Sequence, residues 1–176
     1  FVTVAAVFSY ILLGAGFFAT QKSQEVVHTG VKQATSSMEL VGSVVAKGDK
    51  SNNKITNVTF TLQLAAGGQP IDLNKTLITV VVPAKGQMGQ FFYSKDTPDS
   101  THYKVDWIYS LQGDQTQADD YLEEFEKAEI FIDLSNNFDI IPNTNFIIEV
   151  KPPIGATYPI ELKAPPSIDA VMVLLR

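Results

Sequence analysis

Side chains that could carry acid–base chemistry or bind a metal are sparse in this sequence. The two histidines, His28 and His102, fit neither the spacing of a zinc site nor that of a catalytic triad. The chain has no cysteine, which excludes disulfides, thiolate nucleophiles and thiolate-bound metals. The glycine-rich phosphate-binding motifs are also missing. The sequence therefore predicts a protein that is not an enzyme, with no catalytic residue and no cofactor.

An acidic stretch between Gln115 and Lys127, with Asp114 before it, is the candidate for a cation site. Its carboxylates could supply oxygen ligands to Ca²⁺, but it lacks the glycine and the ligand spacing of an EF-hand loop. A run of charges of this kind is usually a solvated face, so we predict no metal ligand here. The carboxylates concerned are Asp114, Asp119, Asp120, Glu123, Glu124 and Glu126.

Two Asn-X-Thr sequons are candidate sites of covalent modification. Asn57 alternates with the apolar Val58 and Phe60, which places it on the polar face of a strand. Asn74 lies in the turn-like segment 72–75. We predict N-glycosylation of Asn57 and Asn74 in an exported protein; the alternative is two unmodified surface asparagines.

The N-terminal segment of the sequence is unusually long and apolar. No charged side chain occurs from Phe1 to Gln21. As a helix, this segment would be about 30 Å long, enough to cross the hydrocarbon of a bilayer. Apolar residues then recur at steps of three and four, which predicts that the helix continues to Lys47 and ends at Gly48. Since no basic leader precedes the apolar run, a retained N-terminus is favoured over a secretory signal peptide.

A helix of this length must bury its apolar seam against other helices, so we predict a polymerisation element. Burial of each large apolar side chain contributes about 1.5–3 kcal/mol before ordering costs. The monomer should therefore reside in the membrane before assembly. The predicted polymerisation residues are Phe1, Val4, Phe8, Ile11, Leu12, Leu13, Phe17, Phe18, Val27, Val31, Met38, Val41 and Val45.

From Ile55 onward the apolar residues alternate with a period of two, which is typical of half-buried strands. Seven or eight short strands predict an antiparallel sandwich or barrel over residues 48–176. Its predicted core includes Phe60, Leu62, Val80, Val105, Trp107, Ile132, Ile148 and Ile160. The net charge of -6 and the lack of a basic cluster argue against nucleic-acid binding.

This layout resembles the type IV pilin superfamily, and within it the archaeal flagellins (archaellins). Ala5 stands where bacterial pilins typically have a glutamate, which favours the archaeal flagellins. The residues that carry the resemblance are Gly14–Lys22, Ile55–Leu64, Pro70–Leu73, Glu129–Leu134 and Asn145–Pro152.

The resemblance implies an α+β fold, with a long N-terminal α-helix at residues 1–47 and an all-β, immunoglobulin-like domain at residues 48–176. It implies cleavage of a precursor just before Phe1 by a prepilin-type peptidase. It also implies an extracellular filament of identical or homologous subunits, assembled by an ATP-driven machine and rotated for swimming.

Two other hypotheses stay open at this point. An archaeal adhesion pilin would share the helix but not the rotation. A membrane-anchored extracellular β-domain would use the helix only as a tether, which leaves the apolar pattern from Val27 to Val45 without a role. Filaments in an electron micrograph would exclude the tether, and the motility of a deletion strain would separate the other two.

Overall fold

The computed structural model describes residues 38–111 and 119–175. By its internal contacts the chain divides between Ala34 and Thr35, and the described residues all belong to the C-terminal unit, Thr35–Arg176. In these ranges the regular elements are eleven β-strands and two short 3₁₀ turns, Leu73–Lys75 and Pro83–Lys85. None of the helices among the described residues is long and apolar enough to span a membrane.

The strands follow one another along most of the described chain. They are β1 (Met38–Asp49), β2 (Lys54–Leu64), β3 (Ile71–Asp72), β4 (Leu77–Val82), β5 (Gln87–Ser94), β6 (His102–Tyr109), β7 (Tyr121–Leu122), β8 (Lys127–Asp133), β9 (Asn145–Lys151), β10 (Tyr158–Lys163) and β11 (Val171–Leu175).

Nine of these strands form a single sheet in the order β10-β9-β4-β5-β6-β8-β2-β1-β11, and β3 pairs with β7. Strand β5 changes partner along its length. Its first part pairs antiparallel with β4 up to Phe91, and Phe92–Ser94 pair in parallel with β6. The sheet is nearly closed, because its terminal strands β10 and β11 approach each other. Near this gap the Leu40 N–H of β1 donates to the Tyr158 hydroxyl of β10 at 3.4 Å.

The interior of this sheet holds the hydrophobic core. Alternate residues of β2, β6, β8 and β9 point inward, as the period of two predicts. All eight predicted core residues are buried, so this prediction is confirmed. The prediction of an antiparallel arrangement is wrong for one pair of strands, since β5 and β6 are parallel.

The predicted α+β class is wrong. The regular secondary structure of the described residues is almost entirely β, and residues 38–47, predicted as the end of the long helix, belong to β1. This strand pairs with β2 on one side and β11 on the other, so it is an integral part of the sheet. The earlier part of the predicted helix, residues 1–37, lies outside the described residues.

The helical spacing of Met38, Val41 and Val45 has two origins in β1. Gly42 has a φ of +70°, a conformation that glycine adopts readily. Between Val41 and Val45 the register with β2 shifts, so that these residues lie opposite Thr61 and Thr59. The extra residues of this bulge give the step of four, whereas the step of three joins the buried Met38 to Val41 on the opposite face of the strand.

Gly48, predicted as the C-terminal glycine of the helix, has a packing role in β1. A Cβ at this position would lie 2.3 Å from the Ile168 Cγ2 atom and 2.6 Å from the Asp169 carbonyl oxygen. The glycine is therefore needed because the chain before β11 passes directly over it.

Candidate assembly surfaces and modification sites

Asn74 lies in the exposed 3₁₀ turn that follows β3. The Asp72 carboxylate caps this turn by accepting the Asn74 N–H at 3.1 Å, and it pairs with the Lys75 ammonium at 3.5 Å. The Thr76 hydroxyl of the same sequon donates to the Asp72 carbonyl at 2.8 Å. These bonds fix the turn and leave the Asn74 side chain exposed to solvent.

Asn57 has a very different environment in the middle of β2. It lies between Lys47 of β1 and Asp133 of β8, on the outer face of the sheet. The side chain is half-buried, and its Oδ1 atom is buried without a hydrogen-bond partner among the described residues. The alternation with Val58 predicts the outer face but not this shielding by neighbouring strands.

The predicted polymerisation residues that the structure describes all lie in β1. Met38 belongs to the hydrophobic core, whereas Val41 and Val45 are half-buried. The predicted residues from Phe1 to Val31 lie outside the described residues, as does the predicted processing point at Phe1. The role of all these residues in assembly stays a prediction.

A cluster of exposed apolar side chains at the end of β6, which we call the end patch, comprises Ile108, Tyr109, Leu111 and Phe125. The register of β6 with β8 shifts after Trp107, and Ile108 is the extra residue of this bulge. Because of the shift, Ile108 and Tyr109 are both exposed. Strict alternation would have placed Tyr109 inside with Trp107, so sequence patterning missed this surface.

Phe125 is the most unusual member of the end patch. It has a φ of 73°, and its side chain is 76% exposed. The Glu126 N–H donates to the Glu123 carbonyl at 3.2 Å, which closes a tight turn with Phe125 at its third position. Glycine or asparagine normally occupies this position, because a bulky residue in the left-handed region is strained.

Glu126 holds this turn in place from inside the protein. Its carboxylate is buried, and it accepts the Leu111 N–H at 2.8 Å, the Glu123 N–H at 2.9 Å and the Ser110 hydroxyl at 3.2 Å. These bonds connect the end of β6 to the turn and fix both parts of the end patch. The interpretation of the acidic stretch as a solvated face is therefore wrong for Glu126.

The second exposed apolar surface, which we call the edge patch, comprises Val171, Val173 and Leu175 of β11. These residues alternate along one face of the strand and are 40–61% exposed, whereas Met172 between them is buried. β11 is a terminal strand of the sheet. Exposed, regularly spaced apolar residues on a terminal strand favour association with another surface.

The polar groups of the described residues contribute to local structure. At the start of β6 the Asp99 carboxylate accepts the Thr101 N–H at 2.7 Å and lies 2.9 Å from the His102 Nδ1 atom. The Thr101 N–H bond, followed by the contact with His102, lowers the pKa of Asp99 to about 2. Across the described ranges no three His, Asp or Glu side chains group closely enough to hold a metal ion. His28 and Asp114 lie outside those ranges.

Two tyrosines also contribute to packing. The Tyr103 hydroxyl lies 2.8 Å from the carbonyl oxygens of both Leu73 and Thr76 and shares its single proton between them, which anchors the turn that carries Asn74. Tyr93 donates to the Asp120 carboxylate. Burial raises the pKa of both phenols, so each is a hydrogen-bond donor at neutral pH. Exposed apolar patches mark interaction sites, so we class this all-β domain as a subunit that associates with other surfaces.

Comparison with known proteins agrees with this class. Residues 1–162 match the model of the archaeal-type flagellin family. Probable flagellin 1 of Archaeoglobus fulgidus is 69% identical and aligns with 100% of this chain and 89% of its own length. Probable flagellin 2 of the same organism is 42% identical over 95% of this chain and 84% of its own length.

Solved structures agree as well. The archaeal flagellum of Methanospirillum hungatei matches 100% of this chain and 93% of its own, with a TM-score of 0.62 and 27% identity. A crystal structure of an archaeal flagellin from Methanocaldococcus jannaschii covers 79% of this chain and 96% of its own, with a TM-score of 0.68. At 18% identity, the second match is evidence for the fold alone.

The chain belongs to the archaeal-type flagellin family. It is a structural subunit of the archaellum, the archaeal flagellar filament at the cell surface. Its partners in that filament are identical or homologous subunits. Of the three hypotheses that the sequence left open, the filament of the flagellin type is confirmed.

Proposed function

We propose that the chain serves swimming motility, and that its apolar N-terminal segment holds the filament together while the β-domain forms the outer surface. The main observation that supports this proposal is the family match, which begins at residue 1 and therefore includes the uncharged segment from Phe1 to Gln21. The predicted residues from Phe1 to Val31 would make the contacts within the filament, and Met38 instead belongs to the core of its own subunit. We propose that the boundary between the two parts lies between Ala34 and Thr35 rather than at residue 48, since β1 belongs to the sheet.

Deletion of the gene in the native host tests this role. The strain should lose swimming and surface filaments, and expression of the unmodified chain should restore both. Filament loss with normal swimming would contradict a motility role. Loss of surface attachment alone would support the adhesion hypothesis instead.

We further propose that the subunit enters the membrane before assembly and that a prepilin-type peptidase cleaves its precursor just before Phe1. Membership of the family supports this route, since the assembly machinery must receive a subunit whose apolar segment is shielded from water. N-terminal sequencing of filaments from the native host should give Phe-Val-Thr-Val. Another N-terminus would contradict the proposed cleavage point.

The proposed modification sites differ in accessibility. Asn74 projects from an exposed turn, whereas Asn57 lies half-buried within the sheet. We therefore expect higher glycan occupancy at Asn74 than at Asn57 if transfer occurs on the folded domain. Glycopeptide mass spectrometry of native filaments measures both occupancies, with Thr76→Ala and Thr59→Ala as sequon-specific controls. Unmodified peptides at both positions would exclude glycosylation and leave the filament function intact.

We propose no enzymatic activity for this subunit. The described polar side chains bond mainly to neighbouring backbone and to each other, as Glu126 and Tyr103 do. Bonds of this kind contribute to the stability of turns and strand ends. A hydrolase screen should give equal rates for purified filaments from the native host and for a mock preparation made in the same way from the deletion strain.

A further inference from the structure

We propose that the end patch of one subunit docks on the edge patch of a neighbouring subunit, forming a contact between β-domains in the filament. This inference rests on the filament function and adds the two surfaces that would meet. Both patches lie on the same chain but at different places, so their contact is head-to-tail. A contact of this kind leaves one patch free at each end and can therefore continue along a helical polymer.

The first argument is the backbone that builds the end patch. A bulge exposes Ile108 and Tyr109, and a tight turn holds Phe125 at a φ of 73°. Strain of this kind persists where the surrounding structure enforces it, and it is common at functional surfaces. Here the buried Glu126 carboxylate enforces the turn through hydrogen bonds to both segments. The fold thus holds large apolar side chains in solvent at a conformational cost.

The second argument is the separation of the two patches. β8, β2 and β1 lie between β6 and β11 in one direction, and β5, β4, β9 and β10 lie between them in the other. At about 4.8 Å per strand, the shorter path across the sheet is about 19 Å. The two patches therefore lie on opposite sides of the nearly closed sheet, where they cannot cover each other within one subunit.

The third argument is charge complementarity around the patches. Glu123 and Glu124 precede Phe125 in the end patch, and Lys127 lies opposite Tyr109, so the charges described here are net acidic. Beside the edge patch, Lys47 lies opposite Val171 on the neighbouring strand. Within residues 38–111 and 119–175, neither Lys47 nor Glu124 forms an ion pair. A net acidic margin on one patch and a lysine beside the other favour their association.

Disulfide crosslinking tests this contact directly, because the chain has no native cysteine. A chain carrying both Tyr109→Cys and Val173→Cys is assembled into filaments, oxidised, and analysed by denaturing electrophoresis. Several positions on each patch are paired in turn, including Phe125→Cys with Val171→Cys. A disulfide needs Cα atoms within about 7 Å, so a bond inside one subunit is excluded by the path across the sheet.

We expect a ladder of covalent multimers from at least one double variant and monomers from every single variant. Filaments that give no ladder with any pair would overturn the proposed contact while leaving the filament function intact. Dimers from a single variant would also overturn it, since they would show a symmetric contact of a patch with itself. If the unmodified chain forms no filaments under the same conditions, the filament function itself is contradicted.

Substitution of Phe125 provides a second, independent readout. Phe125→Gly removes the apolar side chain and relieves the left-handed strain, so the fold of the subunit is retained. We expect the filament dissociation temperature to fall by several degrees. The matched control is Asn143→Gly, at an exposed residue with a φ of 61° outside both patches. Equal dissociation temperatures for the two variants would overturn a role for Phe125 in the contact.

Discussion

The strand pair β2–β8 and the strands β1, β6 and β11 follow different rules. From Asn57 to Leu64 of β2 and throughout β8, buried and outer residues alternate without interruption, and the register of the two strands is regular from Asn57 to Gln63. The other three strands depart from this pattern. β1 contains a bulge at Gly42, β6 contains one at Ile108, and apolar side chains of β11 are exposed.

The difference separates folding from assembly. Regular alternation directs the apolar side chains of β2 and β8 into the hydrophobic core, which stabilises one subunit. In the described part of the chain, β6 and β11 instead leave apolar side chains exposed. Since the chain is a filament subunit, we interpret these two exposed surfaces as the part of the β-domain that serves neighbouring subunits.

The largest expected effect comes from the N-terminal segment. Leu13→Asp should abolish filaments, because a lone buried charge costs several kcal/mol and is repeated in every subunit. Electron microscopy of cells expressing the variant measures this, with Leu13→Met as the control of similar volume. Filaments of normal length and thermal stability from Leu13→Asp would show that this segment is not the polymerisation element.

The next largest effect should come from removing β1. A fragment 35–176 retains this strand and should fold as a soluble β-domain. A fragment 48–176 loses it, which leaves β11 without its partner and exposes an edge of β2. We expect the shorter fragment to aggregate or to unfold at lower temperature. Circular dichroism and thermal unfolding compare the two, and equal stability would place the domain boundary at residue 48 after all.

Loss of the Glu126 carboxylate should have a moderate effect. In fragment 35–176, Glu126→Ala should lower the free energy of unfolding by roughly 3 kcal/mol, since it leaves buried backbone N–H groups without an acceptor. Glu124→Ala, at an exposed neighbouring position, should change it by less than about 0.5 kcal/mol. Urea denaturation measures both. Equal effects would contradict the role of Glu126 in holding the end patch.

The smallest expected effect is on the stability of the β-domain at acid pH, to which Asp99 contributes. Hydrogen bonds from Thr101 and His102 lower the pKa of Asp99 in the folded state to about 2, below the ordinary value of an aspartate. Its contribution to stability is therefore present above about pH 4 and is lost as the pH falls towards 2. In fragment 35–176, Asp99→Asn should reduce the fall in the free energy of unfolding between about pH 4 and about pH 2, and Asp96→Asn is the control. If the free energy of unfolding falls equally with pH in Asp99→Asn and in the unmodified fragment, the prediction is contradicted.

Sequence patterning predicted β2, β8 and the core because a period of two maps directly onto two faces. It failed in residues 38–47, where a bulge at Gly42 separates Val41 and Val45 by four residues on one face and Met38 lies on the other. It also failed at Tyr109, because an inserted residue reverses the faces of a strand without changing composition. Phe125 gave no signal in the sequence, since its exposure depends on a turn and on the buried Glu126.

Cryo-electron microscopy of filaments from the native host tests the central claim most directly. We predict that the chain forms the filament, with Tyr109 and Phe125 of one subunit buried against Val171 and Val173 of its neighbour. A filament of this chain in which both patches face solvent would contradict our assignment of the end patch and the edge patch to assembly.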